Sequence, residues 1–327
     1  MDTLIKNYLL NIELGKRQEY KNMGIIPLST SINHEPEYIT LKEALDKNQL
    51  TVKEVSHGGS VPELKVINNA EIAILLLDGE ELVGAKQNRV LNTTILLKKK
   101  SETIIPVSCT EAGRWSYVSE EFTDSGTVMS PHIRMLKARS VSASLHESRE
   151  YKSDQGAVWN AIGEMSEEAG VSSSTGAMKD VFESRLKELD EYLKAFKCGP
   201  DQKGMLVLFD GAVVGLDIVS REAAYKELHA KLVKSYAMEA ILQKKENAAK
   251  SKNDKAKAFI KEASSCNEKK YESVGSGWDY RYEGKKVVGS ALLYQKKVIH
   301  MAFFRITEGE KVGSMAGYSR RRGFRTD

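Results

Sequence analysis

Six short apolar runs follow one another between Thr51 and Ser108: TVKEVS, ELKVIN, EIAILLLDG, EELVGA, RVLNTTILLK and ETIIPVS. Turn signals separate them (HGGS, NNA, DG and KKKS), and no helical period intervenes. Parallel strands need long crossovers, so strands this closely spaced must pair antiparallel, as a sandwich or a partly closed barrel. Near residue 140 the pattern becomes helical, and apolar hairpins return after Met205. The expected class is α+β: an antiparallel β-rich core, a helical middle segment and a C-terminal β-hairpin. The corresponding division is 1–140 as a β-rich domain, 141–307 as helices plus two hairpins, and 308–327 as a basic tail.

Local signals set further expectations. A short strand from Gly24 to Leu28 is stopped by Pro27. TLKEAL, from Thr40, is a capping box opening a helix over 41–48. Val158, Trp159, Ile162 and Met165 share one face of a helix over 154–169, ended by Gly170. Met178, Phe182, Leu186, Leu189, Leu193 and Phe196 predict one long amphipathic helix ended by Gly199-Pro200. Asp210-Gly211 between apolar runs predicts a tight hairpin over 205–220. Ser220 is placed to cap a helix reaching about residue 243. The lysine-rich 244–270 segment reads as a helical extension or a surface linker, and 285–305 as two more strands.

Composition narrows the classes. A net charge of +4 on 327 residues is too small for a chain that must coat nucleic acid. Cys109, Cys198 and Cys266 form no CxxC pair, so neither a disulfide framework nor a metal site is indicated; this usage fits a reducing cytoplasm. No run approaches the roughly 20 apolar residues of a membrane helix. HExxH, P-loop, GxSxG and GxGxxG motifs are missing.

The strand region carries more polar chemistry than a core requires. Asp78 to Trp115 contains Glu80, Glu81, Lys86, Gln87, Asn88, Arg89, Asn92, Thr93, Cys109, Glu111, Arg114 and Trp115. Adjacent Glu80 and Glu81 must face opposite sides of a strand. Lys86 and Arg89 supply cations, the latter with a fork suited to carboxylate or phosphate. Gln87 and Asn88 supply amides that read carbonyls or hydroxyls. Cys109 is either a small buried hydrophobe or a nucleophile needing a cationic neighbour. Glu111, Arg114 and Trp115 form either a ligand-stacking group or an internal ion pair with an aromatic cover. Glu80 and Glu81 also have a plain reading as solvated residues beside the Asp78-Gly79 turn, and GAKQNR as a long exposed hairpin loop.

DGEELVGAKQNRVLNTTILL followed by IPVSCTEAGRW resembles the ARPP domain, named for its association with ADP-ribosylglycohydrolases and rhodanese-like phosphatases. YITLKEAL, GGSVPELKV, SDQGAVWNAI and KSYAMEAI extend the resemblance over most of residues 20–245. It implies a nucleotide or ADP-ribose-type phosphate-bearing ligand, in a prokaryotic conflict or RNA-repair context, with the cofactor unspecified. If the chain is an enzyme, it is then a hydrolase or transferase at a glycosidic or phosphate-ester bond. Glu80 or Glu111 would be the general acid or base. Lys86 and Arg89 would neutralise phosphate, Asn88 and Asn92 orient the ligand, and Trp115 stack on it. Glu81, Gln87, Cys109 and Arg114 complete the expected ligand-binding set. The alternative is a non-catalytic nucleotide-sensing or assembly module with a protein partner in a defence system. A third reading is RNA binding through the 244–270 lysines and the basic tail, without an RNP1-like or Gly-x-x-Gly pattern to support it.

Overall fold

The computed structural model describes residues 1–32, 36–56, 58–243 and 254–306. Helix α1 (Thr3–Leu10) precedes strands β1 (Ile12–Leu14), β2 (Gln18–Tyr20) and β3 (Met23–Thr30). The region of apolar runs forms β4 (Tyr38–Thr40), α2 (Leu41–Asp46), β5 (Leu50–Glu54), β6 (Glu63–Asn68) and β7 (Ala73–Leu76). It continues as β8 (Glu80–Gly84), β9 (Arg89–Leu91), β10 (Ile95–Leu97), β11 (Ser101–Cys109) and β12 (Phe122–Val128). Helices α3 (Pro131–Glu147), α4 (Gln155–Ala169), α5 (Met178–Ser184) and α6 (Leu186–Ala195) follow. Then come β13 (Gly204–Phe209), β14 (Ala212–Val219), α7 (Glu222–Leu242) and α8 (Asp254–Ala263). Strands β15 (Asn267–Glu272), β16 (Trp278–Glu283), β17 (Val287–Tyr294) and β18 (Lys297–Arg305) complete the set. The architecture is α+β and β-rich, as the strand spacing required.

Strands β12-β8-β9-β11-β6-β5 form a six-stranded antiparallel sheet. A bridge between Lys53 and Glu121 brings β5 back to the start of β12, so the sheet curls towards closure. Val52, Leu64, Val66, Leu82, Leu91, Val107 and Phe122 fill its interior, with Leu41 and Ala44 of α2. A three-stranded sheet, β10-β7-β4, lies beside it and includes a parallel pair, β4 with β7. The larger, nine-stranded sheet runs β1-β3-β13-β14-β18-β17-β16-β15, with β2 also on β3. Both its faces are covered. Leu206, Leu216, Ile218, Met301 and Phe303 pack with residues of α1 and α8. Met205, Val207, Val219, Ala302 and Phe304 pack with residues of α3 to α7.

Several boundaries differ from the sequence expectations. Pro27 does not stop its strand; it sits within β3, opposite Met205. RVLNTTILLK divides into β9 and β10, because Asn92, Thr93 and Thr94 use their side chains to bond elements outside the sheet. The long helix over 178–196 breaks at Arg185, whose guanidinium donates to the Ala169 carbonyl (2.5 Å), and Leu186 is exposed. Trp159 turns away from the buried face of α4, since it lies a quarter-turn or so from Val158 and Ile162. Ser220 does not cap α7; its hydroxyl bonds the Tyr38 hydroxyl, and Arg221 occupies the cap position. Part of the lysine-rich segment, Asp254–Ala263, is α8, with Phe259 and Ile260 buried. Residues 244–253 and the basic tail lie outside the described residues. Among the described residues, no helix is long and apolar enough to cross a membrane.

Candidate functional site

The curled sheet has a seam where β5 returns to β12, and a groove of about 660 Å³ runs along it. Lys53, Glu54, Ser56, Lys65, Tyr117 and Glu120 are among its walls. The loop before β12 is fastened to the end of β8 by close backbone approach. Gly84 has φ +131°, and a side chain there would meet the Glu121 carbonyl and Ser119 hydroxyl, so only glycine fits.

Arg114 forms a clasp beside the groove. Its guanidinium donates to the carbonyls of Ala85 (2.6 Å), Gly84 (3.3 Å) and Ser116 (2.9 Å), and to Asn88 Oδ1 (3.1 Å). It also grips both Glu111 oxygens, at 2.9 and 2.6 Å. The Asn88 backbone N–H donates to Glu111 Oε2 (3.1 Å). Burial pushes the Glu111 carboxyl up, but Arg114, Thr175 and the Asn88 N–H outweigh it and hold the group below the usual carboxylate range. Lys86 donates to the Gly58 carbonyl (2.8 Å), and its ammonium lies 5.2 Å from the Trp115 ring and 5.1 Å from Tyr117. Those two rings are 47% and 42% exposed.

Beneath them lie Arg89 and Glu54, both buried. Arg89 Nη1 donates to Gln87 Oε1 (3.1 Å), and the guanidinium stands 5.7 Å from the Trp115 ring. Its Nε and Nη2 have no hydrogen-bond partner, and neither do Oε1 and Oε2 of Glu54. Nη2 and Glu54 Oε1 are 3.7 Å apart, beyond hydrogen-bond reach. Cys109 is paired with Arg89 across the strands, and burial raises its thiol despite the nearby cation.

Lys86, Gln87, Arg89, Cys109 and Trp115 are thus gathered around one place, with Asn88, Glu111 and Arg114 as the clasp at its side. Three predicted residues are elsewhere. Glu80 is fully buried and accepts from Lys231 of α7 (2.6 Å) and from the Leu77 N–H (2.7 Å). Glu81, pointing the other way as strand alternation demands, accepts from Thr110 (2.7 Å) and Thr127 (3.1 Å) hydroxyls. Asn92 donates to the Tyr151 carbonyl (3.0 Å) and accepts from Ser108 (2.6 Å), which also meets Ser153. Gln155 then clamps Cys109 through both its backbone groups, at 2.7 and 2.9 Å. Asn92 and the SDQ motif therefore fasten the start of α4 to the curled sheet. Sequence reasoning missed Glu54, Lys53 and Tyr117. The signal for Glu54 was period two in β5, where Leu50, Val52 and Glu54 share the buried side.

A family model described as the ARG and Rhodanese-Phosphatase-superfamily-associated Protein domain, ARPP-1, matches residues 11–304. The chain belongs to the ARPP-1 family. No curated protein and no solved structure matches it. The family description links the domain to ARG and rhodanese-phosphatase association.

The ARPP-1 domain also holds an ionic network that the sequence reading did not anticipate. Arg134 of α3 donates to both Asp217 oxygens, at 3.0 and 2.7 Å, and stands 3.6 Å from Asp78. Lys137 bonds Asp78 and the Leu91 carbonyl (2.9 Å). Tyr236 donates to Asp217 (2.9 Å), and His300 Nε2 is 3.5 Å from it. Gly79, with φ +86°, lets Arg134 pack directly on the Asp78–Gly79 turn. Burial opposes ionisation of Asp217, but Arg134 overrides it and depresses the carboxyl strongly. Asp279 and Arg281 form a second pair, and both bond Thr93 at 2.7 Å. Among the described residues, no three His, Cys, Asp or Glu side chains are placed to hold a metal ion.

Glu81 has hydroxyls rather than a cation as hydrogen-bond partners, and burial raises its carboxyl to about 7 from 4.5. The folded state therefore keeps its proton while the unfolded chain loses it. Stability should fall as pH rises from 4.5 to 7 and level off above, by up to about 3 kcal/mol. Glu81→Gln should remove this fall and be the more stable protein at pH 8. Urea titrations at pH 5 and pH 8 measure it, and parallel pH profiles for the two proteins would refute it.

Proposed function

We propose that the seam groove binds a phosphate-bearing nucleotide or ADP-ribose-type molecule. One observation carries this reading: Glu54 lines the groove, and it and the equally buried Arg89 behind it, 3.7 Å away, keep facing polar atoms without hydrogen-bond partners. Buried polar groups are normally satisfied, and leaving them open costs free energy unless a ligand or water completes them. The surroundings suit such a ligand. Trp115 and Tyr117 offer exposed rings for a base, and Lys53 and Lys86 offer charge for phosphate. The family's association with ADP-ribose-processing proteins agrees with this chemistry.

The geometry favours binding or sensing over turnover. Arg114 holds Glu111 ionised, and Glu80 is sealed against Lys231, so neither is presented to the groove as a free acid or base. In this reading Glu111, Arg114 and Asn88 shape the wall, while Glu80, Glu81 and Asn92 hold the framework.

Calorimetry with ADP-ribose and AMP should give saturable binding. Trp115→Ala, a change at an exposed ring, should weaken it about tenfold, the usual worth of one stacked base. Unchanged affinity in that variant would remove the groove from consideration. Mass spectrometry of the same mixtures should return intact ligand; a product would make the protein an enzyme.

A further inference from the structure

Resting on that ligand reading, we infer that Glu54 and Arg89 together bind the vicinal hydroxyls of a ribose. The hydrogen-bond account points there. Gln87 and the Asn88 carbonyl occupy Arg89 Nη1. The remaining Nε and Nη2 lie on one edge of the planar group and form a fork of two donors. Across from it stands Glu54, its Oε1 3.7 Å from Nη2 and both its oxygens without a hydrogen-bond partner; a carboxylate offers only acceptors. The open demand is therefore two acceptors and two donors, side by side. A cis-diol supplies that set: each hydroxyl donates to the carboxylate and accepts from the guanidinium. Phosphate supplies only acceptors and would be repelled by Glu54.

The spacing agrees. Nη2 and Oε1 are 3.7 Å apart, a separation that one hydroxyl oxygen, hydrogen-bonded to both, can span. A base could not fit between them. Gly59 lies over the pair with φ +78°; a side chain there would come within 3.2 to 3.5 Å of Lys86, Trp115 and Glu54 Oε2. Glycine at this position lets Lys86 and Trp115 pack close over Glu54, and the open atoms of the pair are shielded from solvent, so a sugar edge reaches them only when this cover shifts, with base and phosphate left nearer the mouth.

Calorimetry on the full chain decides it with two matched pairs: ADP against 2′-deoxy-ADP, and ribose 5-phosphate against 2-deoxyribose 5-phosphate. In at least one pair the ribo form should bind at least about tenfold tighter, the usual loss when a charged group gives up a hydrogen-bond partner. The pair that discriminates tells whether the nucleoside ribose or a free terminal ribose enters. Glu54→Gln keeps the shape but swaps an acceptor for a donor, and should erase the preference. Equal affinity within both pairs would overturn the diol assignment and leave the ligand reading standing. No binding of these four or of ADP-ribose would overturn both, the buried pair then being bridged by water alone. If Glu54→Gln does not fold, the wild-type comparison still decides the outcome.

Discussion

Arg134→Leu is expected to destabilise the protein by about 3–5 kcal/mol, the usual cost of breaking a buried ion pair from one side. Asp217 is fully enclosed between α3, α7 and β18, and Arg134 supplies both of its charged hydrogen bonds. Leucine would leave a buried carboxylate with the Tyr236 hydroxyl and a histidine 3.5 Å away. Asp78 would lose one of its two cations and keep Lys137. Adding Asp217→Asn should recover part of the loss, because no carboxylate is then stranded while the Tyr236 bond survives. Equilibrium urea unfolding with an unchanged slope measures both. A loss below about 1 kcal/mol for the single variant would show that the network contributes little beyond an average substitution.

Lys231→Met should have a comparable effect, about 3–5 kcal/mol, for the same physical reason in the neighbouring ion pair of α7. The Lys231 ammonium sits between Glu80 (2.6 Å) and Asp124 (2.8 Å) and ties α7 to the curled sheet. Burial works against its charge, but the two carboxylates prevail and raise its pKa. Methionine fills much of the volume and strands Glu80. Adding Glu80→Gln should restore stability substantially. The deficit of the single variant should also shrink at lower pH, where a stranded Glu80 takes up a proton. A deficit equal at pH 5 and pH 8 would mean that Glu80 is not the group left exposed to the loss.

The sequence was most readable where a rule acts over a few residues. ELKVIN is β6 as the alternation predicts, Thr40 and Glu43 form the capping box, and Asp210 and Gly211 both take positive φ in the hairpin turn. It was least readable where a side chain reaches far along the chain. Ser220 has the chemistry of a cap, yet Tyr38 takes its hydroxyl. Arg185 breaks a periodic stripe because Ala169 offers it a carbonyl. The candidate site shows the same division. Residues 86–89 and 115 were legible because strong hydrogen-bonding groups crowd between apolar runs. Glu54 was not, because its one inward-facing carboxylate matters only once Arg89 lies opposite.

By itself, then, the sequence determined the antiparallel strands, their alternation, the turns between them and the presence of more polar groups than a core needs. These follow from backbone geometry and from the period of apolar residues, both of which are local. Only the tertiary structure decided which charges satisfy one another and which do not. Glu80 found Lys231, Glu111 found Arg114, and Asp217 found Arg134. Glu54 and Arg89 stop 3.7 Å apart with their polar edges open. Pairing of buried charges depends on distances set by sheet closure and helix docking. A difference of about one ångström there separates an ion pair that is hydrogen-bonded from one that is not.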